Sequence, residues 1–510
     1  MFIYKIMKPQ LQTQQTIQEL SNFISVPLEQ KLQHYDHDQI EATIINLFQN
    51  VAANVPAYQE FLTTAGIKSD TIQTLADFQK LPKINKENYI SKYPISELCY
   101  HGKLETCDFI AASSGSTGKS TFWPRFFTDE LQIATRFEQI FHDSFHADSQ
   151  PTLAVICFAL GTWVGGMFTA NCCRHLAAKG YPITVITPGN NKLEILRIVQ
   201  ELGGKFQQVV LLGYPPFLKD VIDTGLAQKM PWKQYNIKLV MAGEVFSEEW
   251  RNLVAERIGS ENPCDDFASL YGTADAGVLG NETPLSICIR RFLADTPEAA
   301  KALFGESRLP TLVQYDPSSR FFEVENGNLL FSGNNGVPLI RYSILDHGGL
   351  ITYAEMLEFL AAWDFNPLTK LQNYRGIHQL PFVYVFGRSN FTVSYFGANI
   401  YPENVTVGLE QPIIREWVTG KFVLQVKEDL DKNRFLSVVV ELAPGIEDKE
   451  EKRLSITAAI LTQLLRLNSE FANYVPPQYQ TPVVELKSAG DIEYFPVGVK
   501  HRYTRNNITK

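Results

Sequence analysis

The feature that most constrains this chain is its alternation of short apolar runs with helical stretches. From about residue 108, LAVICFAL, YPITVIT, FQQVVLLGY and IKLVMAGE are runs of strand length, and residues 192–202 and 247–258 read as helices between or after them. Strands alternating with helices predict a parallel sheet covered by helices, an α/β fold. The preceding segment differs. Ile44, Leu47, Val51 and Val55 recur at helical spacing until Pro56 breaks the pattern, and Leu81-Pro82 marks another boundary. Beyond Glu323 the texture turns β-rich, with NGNLLFSG, PLIRYSILD and GGLITY. After Gly387 come FVLQV, LSVVVEL, the helix EEKRLSITAAILTQLLRLN and PVVEL, a compact α+β pattern of about 120 residues. The expected organisation is a large α/β domain over 1–387, with a helical part over about 1–107, joined to a small α+β domain over 388–510.

Composition sets the outer bounds. The 510 residues are 45% hydrophobic and 20% charged, which excludes a disordered chain, a collagen-like fibre and a disulfide scaffold. A net charge of -9 leaves no basic footprint for nucleic acid. The seven cysteines form no C-x-x-C, so neither a zinc ribbon nor a redox dithiol is signalled, and they read as small buried apolar residues. With no secretory signal at the N-terminus, a reducing cytoplasm is expected. Ser149 to Cys173 is free of charge and long enough to span a membrane. Pro151, Gly161, Gly165, Gly166 and Asn171 interrupt it, however, and the preferred reading is a buried strand, a Gly-rich turn and a buried helix from about Met167.

The segment Ala111-Ala112-Ser113-Ser114-Gly115-Ser116-Thr117-Gly118-Lys119-Ser120-Thr121 carries small residues, hydroxyls and a lysine. Backbone N–H groups of such a loop surround phosphate oxygens, and the hydroxyls and lysine add donors and charge. A Walker A loop is the obvious comparison, and Gly118-Lys119-Ser120 fits its tail. The first glycine of that motif would fall on Ser113, and Phe122-Trp123-Pro124-Arg125 is a poor start for the helix it requires.

The segment resembles instead the phosphate loop of the adenylate-forming (acyl/aryl-CoA synthetase) superfamily, and most closely its phenylacetate–CoA ligase-like branch. Further similarities follow in collinear order. Asn54-Val55-Pro56-Ala57-Tyr58, Gly66, Leu81-Pro82 and Lys86 resemble the branch's N-terminal region. Gly161-Thr162-Trp163-Val164-Gly165-Gly166 is similar to its turn beside the acyl pocket, and Ala242-Gly243-Glu244 to its adenine-side motif. Leu270-Tyr271-Gly272-Thr273-Ala274-Asp275 resembles the Tyr-Gly-x-[Ser/Thr]-Glu signature, and Pro338-Leu339-Ile340-Arg341-Tyr342-Ser343-Ile344-Leu345-Asp346 the P-x-I-R-Y-x-T-x-D signature. Phe386-Gly387-Arg388-Ser389-Asn390, with Gly397-Ala398-Asn399-Ile400-Tyr401-Pro402, is similar to the hinge motif.

The resemblance implies a large multi-subdomain α/β domain with a mobile C-terminal lid, and the activation of a carboxylic acid by ATP followed by thioester formation with CoA. It implies that Ser113, Ser114, Gly115, Ser116, Thr117, Gly118 and Lys119 hold the triphosphate, with Thr117 also catalytic. Gly243, Glu244, Tyr271, Gly272 and Thr273 would line the nucleotide, Asp346 would accept from the ribose hydroxyls, and Arg388 would contact ribose or phosphate. Trp163, Gly165, Gly166, Tyr214 and Ala274 would line an acid pocket, with Phe246 as a further aromatic candidate; together they suggest an apolar or aromatic acid. Asp275 takes the place of the family's Mg²⁺-associated glutamate with one methylene less, and Ala274 and Ile344 replace hydroxyl residues. Asn390 falls at the hinge. Lys500 falls near the family's C-terminal lysine, although Val499 separates it from Gly498. Homodimers are common in this branch.

Two other clusters compete for attention. His142-Asp143-Ser144-Phe145-His146 has the spacing of a helical zinc pair but no evident third ligand, and His34-Tyr35-Asp36-His37 reads as a solvated surface cluster. Transfer of the acyl group to an amine or carrier-protein thiol, and a degenerate relative that binds without turnover, stay open as alternatives.

Overall fold

The computed structural model describes the chain except residues 1–13, 15, 33–36, 114–120, 163, 244, 307–308, 389–392, 397, 429–433, 469–470, 473–474, 497–500, 502 and 505–510; of Ser113 and Arg388 it describes the backbone. Helices open the molecule, as the periodicity predicts. In α1 (His37–Asn54), Ile44, Phe48 and Val51 are buried along one face, and Val55, just past its end, is buried as well. Pro56 ends the run by starting α2 (Pro56–Thr64) at its first turn, where a missing N–H costs nothing. The chain then reaches β1 (Phe109–Ser113) and β2 (Thr121–Arg125), which pair antiparallel with Ser113 opposite Thr121. The glycine-rich loop therefore joins the arms of a hairpin. A Walker A loop needs a helix directly after its lysine, and the strand β2 excludes it.

An eleven-stranded sheet forms the body. Its first strands are β3 (Thr152–Ile156), β4 (Ile183–Ile186), β5 (Gln208–Gly213), β6 (Ile237–Ala242) and β7 (Phe267–Thr273). They run parallel in the order β4-β3-β5-β6-β7. The crossovers are α3 (Val164–Lys179), α4 (Lys192–Leu202), α5 (Pro215–Ala227) and α6 (Glu248–Ile258). Every residue of β3 and β5 is buried, as expected of strands covered on both faces. The charge-free run thus resolves into β3, a turn and α3, and no helix among the described residues is long and apolar enough to cross a membrane.

From β7 the sheet continues antiparallel through β8 (Gly277–Asn281), β9 (Thr311–Gln314), β10 (Phe321–Glu325), β11 (Asn328–Gly333), β12 (Leu339–Ile351) and β13 (Phe382–Arg388), in the order β7-β8-β9-β13-β12-β11-β10. PLIRYSILD and GGLITY, two runs in the sequence, lie on the single strand β12; register shifts mark its pairing with β11 and, at His347/Gly348, with β13.

The residues after Arg388 surround a core of their own. It lies among β14 (Val393–Tyr395), β15 (Ala398–Ile400), α7 (Pro402–Leu409), β16 (Val418–Glu428), β17 (Arg434–Leu442), α8 (Glu450–Leu467) and β18 (Val483–Lys487). The smaller unit meets the body at a seam. The Glu410 carboxylate and the Ser247 hydroxyl hydrogen-bond there, and Arg415–Glu256 (3.1 Å) and Arg257–Glu416 (3.1 Å) are ion pairs.

Candidate active site

Parallel α/β sheets bind ligands at the carboxyl ends of their strands, where the chain leaves the sheet. Tyr214, Gly243 and Tyr271 fall there. Gly213 is paired with Met241, and Ala242 with Leu270, so these three residues stand at the carboxyl ends of β5, β6 and β7. Gly243 has φ 85° and no room for a side chain, since a Cβ would lie 2.7 Å from the Tyr214 ring. Tyr214 in turn stands edge-on to Phe158, just beyond β3, with centroids 5.0 Å apart.

Two long-range hydrogen bonds then close the site around β12. The Tyr271 hydroxyl donates to Asp346 Oδ2 at 2.7 Å. Asp346 is also the cross-strand partner of Arg388, the last residue of β13. Four positions earlier on β12, the Tyr342 hydroxyl donates to Asp275 Oδ2 at 2.5 Å. Both carboxylates are buried, at 5% exposure for Asp346 and 4% for Asp275.

The helical N-terminal part enters through one short segment. Ile84 forms a parallel bridge to Tyr342: its N–H donates to the Arg341 carbonyl (3.2 Å), and its carbonyl accepts from Ser343 (2.8 Å). The buried Arg341 guanidinium binds both oxygens of Glu323 at 3.1 Å and donates to the Leu81 carbonyl. So anchored, the segment places Lys86 Nζ 3.4 Å from Asp275 Oδ1 and 5.7 Å from the centre of the Trp123 ring. Trp123 lies on β2, directly past the glycine-rich loop.

Arg125, two residues on, reaches the same turn. Its Nη2 donates to the carbonyls of Ala274 (2.5 Å) and Asp275 (3.0 Å). The guanidinium is 1% exposed, and its Nε and Nη1 have no partner among the described residues. Its nearest carboxylates act through charge: Asp129 and Asp275 both favour its charged form against the burial. Burial pushes the Asp129 carboxyl up to about 6, against the Arg125 charge and the backbone N–H groups of Phe126 and Gly336.

This arrangement permits a test of fit for a divalent cation. Asp275 Oδ2 accepts from Tyr342. Oδ1 faces Lys86 at an ion-pair distance beyond hydrogen-bond reach and keeps lone pairs to offer. Among the described residues no group of three or more His, Cys, Asp or Glu side chains is placed to hold a metal. One carboxylate suits Mg²⁺, which takes most of its ligands from phosphate and water.

No model of a known protein family matches the chain. A phenylacetate-coenzyme A ligase from Aromatoleum evansii is 22% identical over 396 residues, 77% of this chain and 78% of that protein. A 2-hydroxyisobutyryl-CoA ligase in the postadenylation state, in complex with R3-HIB-AMP, superposes with a TM-score of 0.64 at 14% identity over 92% of this chain and 89% of that one. The same ligase in the thioesterification state, with 2-HIB-AMP and CoA, gives 0.51 at 14% identity over 95% and 91%. The chain shares the fold of this CoA ligase, and over 77% of its length it is similar to the phenylacetate-coenzyme A ligase.

On this fold the residues singled out in the sequence distribute unevenly. Tyr271, Asp346, Asp275, Ala274, Tyr214, Gly243 and the backbone of Arg388 stand at or just past the ends of β5, β6, β7 and β13, or on β12. Gly272 sits near the end of β7, opposite Val278 of β8, with no room for a Cβ, which would lie 2.5 Å from the Gly277 carbonyl. The Thr273 hydroxyl accepts from the Ala276 N–H (3.1 Å) and so shapes the turn between β7 and β8. Gly166 packs against backbone, with a would-be Cβ 2.3 Å from the Ala159 carbonyl, while Gly165 faces the Phe158 ring. Phe246 packs on Trp250 (5.0 Å) under the Arg251 guanidinium and lines a cavity of about 90 Å³ at the seam with Arg290, Val385 and Glu403. Ser114, Gly115, Ser116, Thr117, Gly118, Lys119, Trp163, Glu244, Asn390 and Lys500 lie outside the described residues, as does the Ser113 side chain. Three contributors carried no assigned role in the sequence: Lys86, a landmark only, Tyr342, one letter of a motif, and Arg125.

Proposed function

We propose that the protein activates a small carboxylic acid with ATP and passes the acyl group to CoA. A carboxylate oxygen attacks the α-phosphorus and pyrophosphate leaves; the CoA thiolate then attacks the acyl carbon and AMP leaves. Both steps gather negative charge, so the site must supply donors and positive charge where anions meet. The observation that carries the reading is the Tyr271–Asp346 hydrogen bond at the carboxyl edge of the sheet, with Asp275 held by Tyr342 nearby. In this reading Asp346 accepts from the ribose hydroxyls, Tyr271 and the Gly243-Glu244 turn flank the adenine, and the loop from Ser113 to Lys119, with Thr117, wraps the triphosphate. Asp275 is one ligand of the Mg²⁺ that neutralises the phosphates, with Lys86 beside it.

The acid pocket takes an apolar or aromatic acid beside Tyr214, Trp163, Gly165 and Ala274. Residues 388–510 swing about Asn390 as a lid, carrying Arg388 and Lys500 to the nucleotide in the acid-activating pose. The protein acts in the cytoplasm, as a homodimer.

Carboxylate-dependent ATP–pyrophosphate exchange over a panel of aromatic and aliphatic acids tests the first step, and CoA-thioester detection the second. Exchange with at least one acid is expected. Its absence across the panel overturns the reading.

A further inference from the structure

Three segments far apart in sequence each take hold of Asp275. Tyr342 of β12 donates to one carboxylate oxygen, Lys86 pairs with the other, and Arg125 of β2 takes the carbonyl. Arg125 is the costly member. It is a buried guanidinium whose described hydrogen bonds go to two neutral carbonyls, leaving Nε and Nη1 unspent. A turn that needed only tying down would be served by a neutral donor; burying a charge to do it sacrifices stability. The surroundings hold that charge in place. A Cβ on Gly336 would lie 2.3 Å from the Pro124 carbonyl and 2.7 Å from the Arg125 N–H nitrogen, so the loop before β12 is packed directly onto β2. The Gly336 N–H also binds Asp129, the carboxylate that balances Arg125.

The guanidinium ties the exit of the glycine-rich hairpin to the Ala274-Asp275 turn, while the backbone of Arg125 and the carboxylate of Asp129 hold the loop that leads to β12. An aspartate is one methylene shorter than a glutamate, so it does its work only if its backbone is delivered to the right place. We propose that Arg125 and Tyr342 are positioning residues for the acid-activating step, fixing the backbone and the carboxylate of Asp275 against the glycine-rich hairpin. This rests on the adenylation reading. Arg125 sets where the turn sits, Tyr342 sets which way the carboxylate points, and neither touches the substrate.

The test uses the full chain with Tyr342→Phe, Arg125→Met, Arg125→Lys and the Tyr342→Phe/Arg125→Met double variant, measuring ATP–pyrophosphate exchange and thermal unfolding. Misplacing a reacting group by a fraction of an ångström costs turnover rather than binding. Tyr342→Phe and Arg125→Met are each expected to lower kcat by about 10- to 100-fold, with KM for ATP and for the acid within about twofold. Because both act through Asp275, the double variant is expected to lose much less than the product of the single losses. Arg125→Lys, which keeps the charge but not the fork, is expected to recover part of the loss. The proposal is overturned if KM rises while kcat holds, if the losses multiply, or if rate falls only in step with the unfolding temperature. Should Arg125→Met fail to fold, Tyr342→Phe with Arg125→Lys carries the same comparison. A wild-type chain that exchanges with no acid overturns the adenylation reading itself, a result distinct from an active wild type with unaffected variants.

Discussion

Leu345 lies on the strand that carries the site, one residue before Asp346, with φ 64° and 48% exposure. A left-handed conformation costs a side-chain-bearing residue about 1–2 kcal/mol, and an exposed leucine recovers little of it by burial. Leu345→Gly is therefore expected to raise the urea midpoint, a gain in unfolding free energy of no more than about 1 kcal/mol once glycine's extra unfolded freedom is counted. A lower midpoint would show that the leucine earns its place by contacts. Gly272 is the opposite case. Alanine there would force the Gly277 carbonyl away and shift the turn that delivers Asp275. We expect Gly272→Ala to cost about 1–3 kcal/mol in chemical denaturation and to depress exchange activity at temperatures where the variant is fully folded. The sequence made Tyr271, Asp275 and Asp346 visible because short motifs hold them in recognisable spacing. It hid Arg125 and Lys86, whose partners lie far along the chain: Arg125 meets Ala274 across 149 positions. Nothing local to PRFF marks an arginine that will be buried against a distant turn.

Elements were legible where burial follows a period. Helix 192–202 has the predicted bounds, and β5 and β6 fall inside the runs that announced them. The run LAVICFAL gives a strand that ends at Ile156, because apolar composition alone does not say where a buried chain leaves the sheet. The H-D-x-x-H spacing misleads for a similar reason. His142 and Asp143 lie in a short π-helical turn over 140–144 and His146 beyond it, at φ 52°. The contact made is between His142 Nδ1 and Asp143 (2.8 Å), with His378 Nε2 on the other oxygen (2.9 Å). Gly376 allows that close approach; a Cβ there would fall on the Asp143 carboxyl. Burial alone would raise the Asp143 carboxyl, but hydrogen bonds from His142 and His378 outweigh it and hold it below the usual range. The hydrogen bond to Asp143 likewise raises His142, against partial burial. The signs follow from linkage. The Asp143 contribution is present above the ordinary carboxylate value and lost as pH falls through its lowered one. The His142 contribution is full below the ordinary imidazole value and lost as pH rises through its raised one. The unfolding temperature of the wild type is expected to fall more steeply between pH 6 and about 8.5 than that of His142→Gln; parallel curves would refute the coupling.

Across the whole molecule the seam is expected to act as a proton-binding joint. Burial pushes the Glu410 carboxyl up to about 8, with Glu249 pushing the same way and Ser247, Lys219 and Arg290 opposing. A carboxyl raised on docking means that the docked arrangement binds an extra proton. Docking is thus strongest in acid and weakens as pH climbs from the ordinary carboxylate value through about 8. The flanking Arg415–Glu256 and Arg257–Glu416 pairs are partly exposed, so salt weakens them as well. Small-angle scattering is expected to show expansion of the wild type between pH 6.5 and about 9, and a flatter response for Glu410→Gln. Equal expansion of both chains would remove Glu410 from the joint. A parallel sheet, a β-rich stretch after it and a small α+β part were legible in texture; that the later strands extend the same sheet was not, and neither was the seam, which is made of single polar side chains scattered over both parts.

The bridge from Ile84 to Tyr342 has a consequence for how the protein is made. A ribosome extrudes the helical beginning of the chain long before the strand that will pin it, and β13, whose Arg388 pairs with Asp346, comes later still. Domains usually settle as they emerge, first part first. Here the opening segment must wait unpinned while the whole parallel sheet is synthesised, and only then does a lysine from the start of the message meet an aspartate from its middle. Chains released after β7 but before β13 will carry the glycine-rich hairpin and the parallel strands, and none of them will own a finished site.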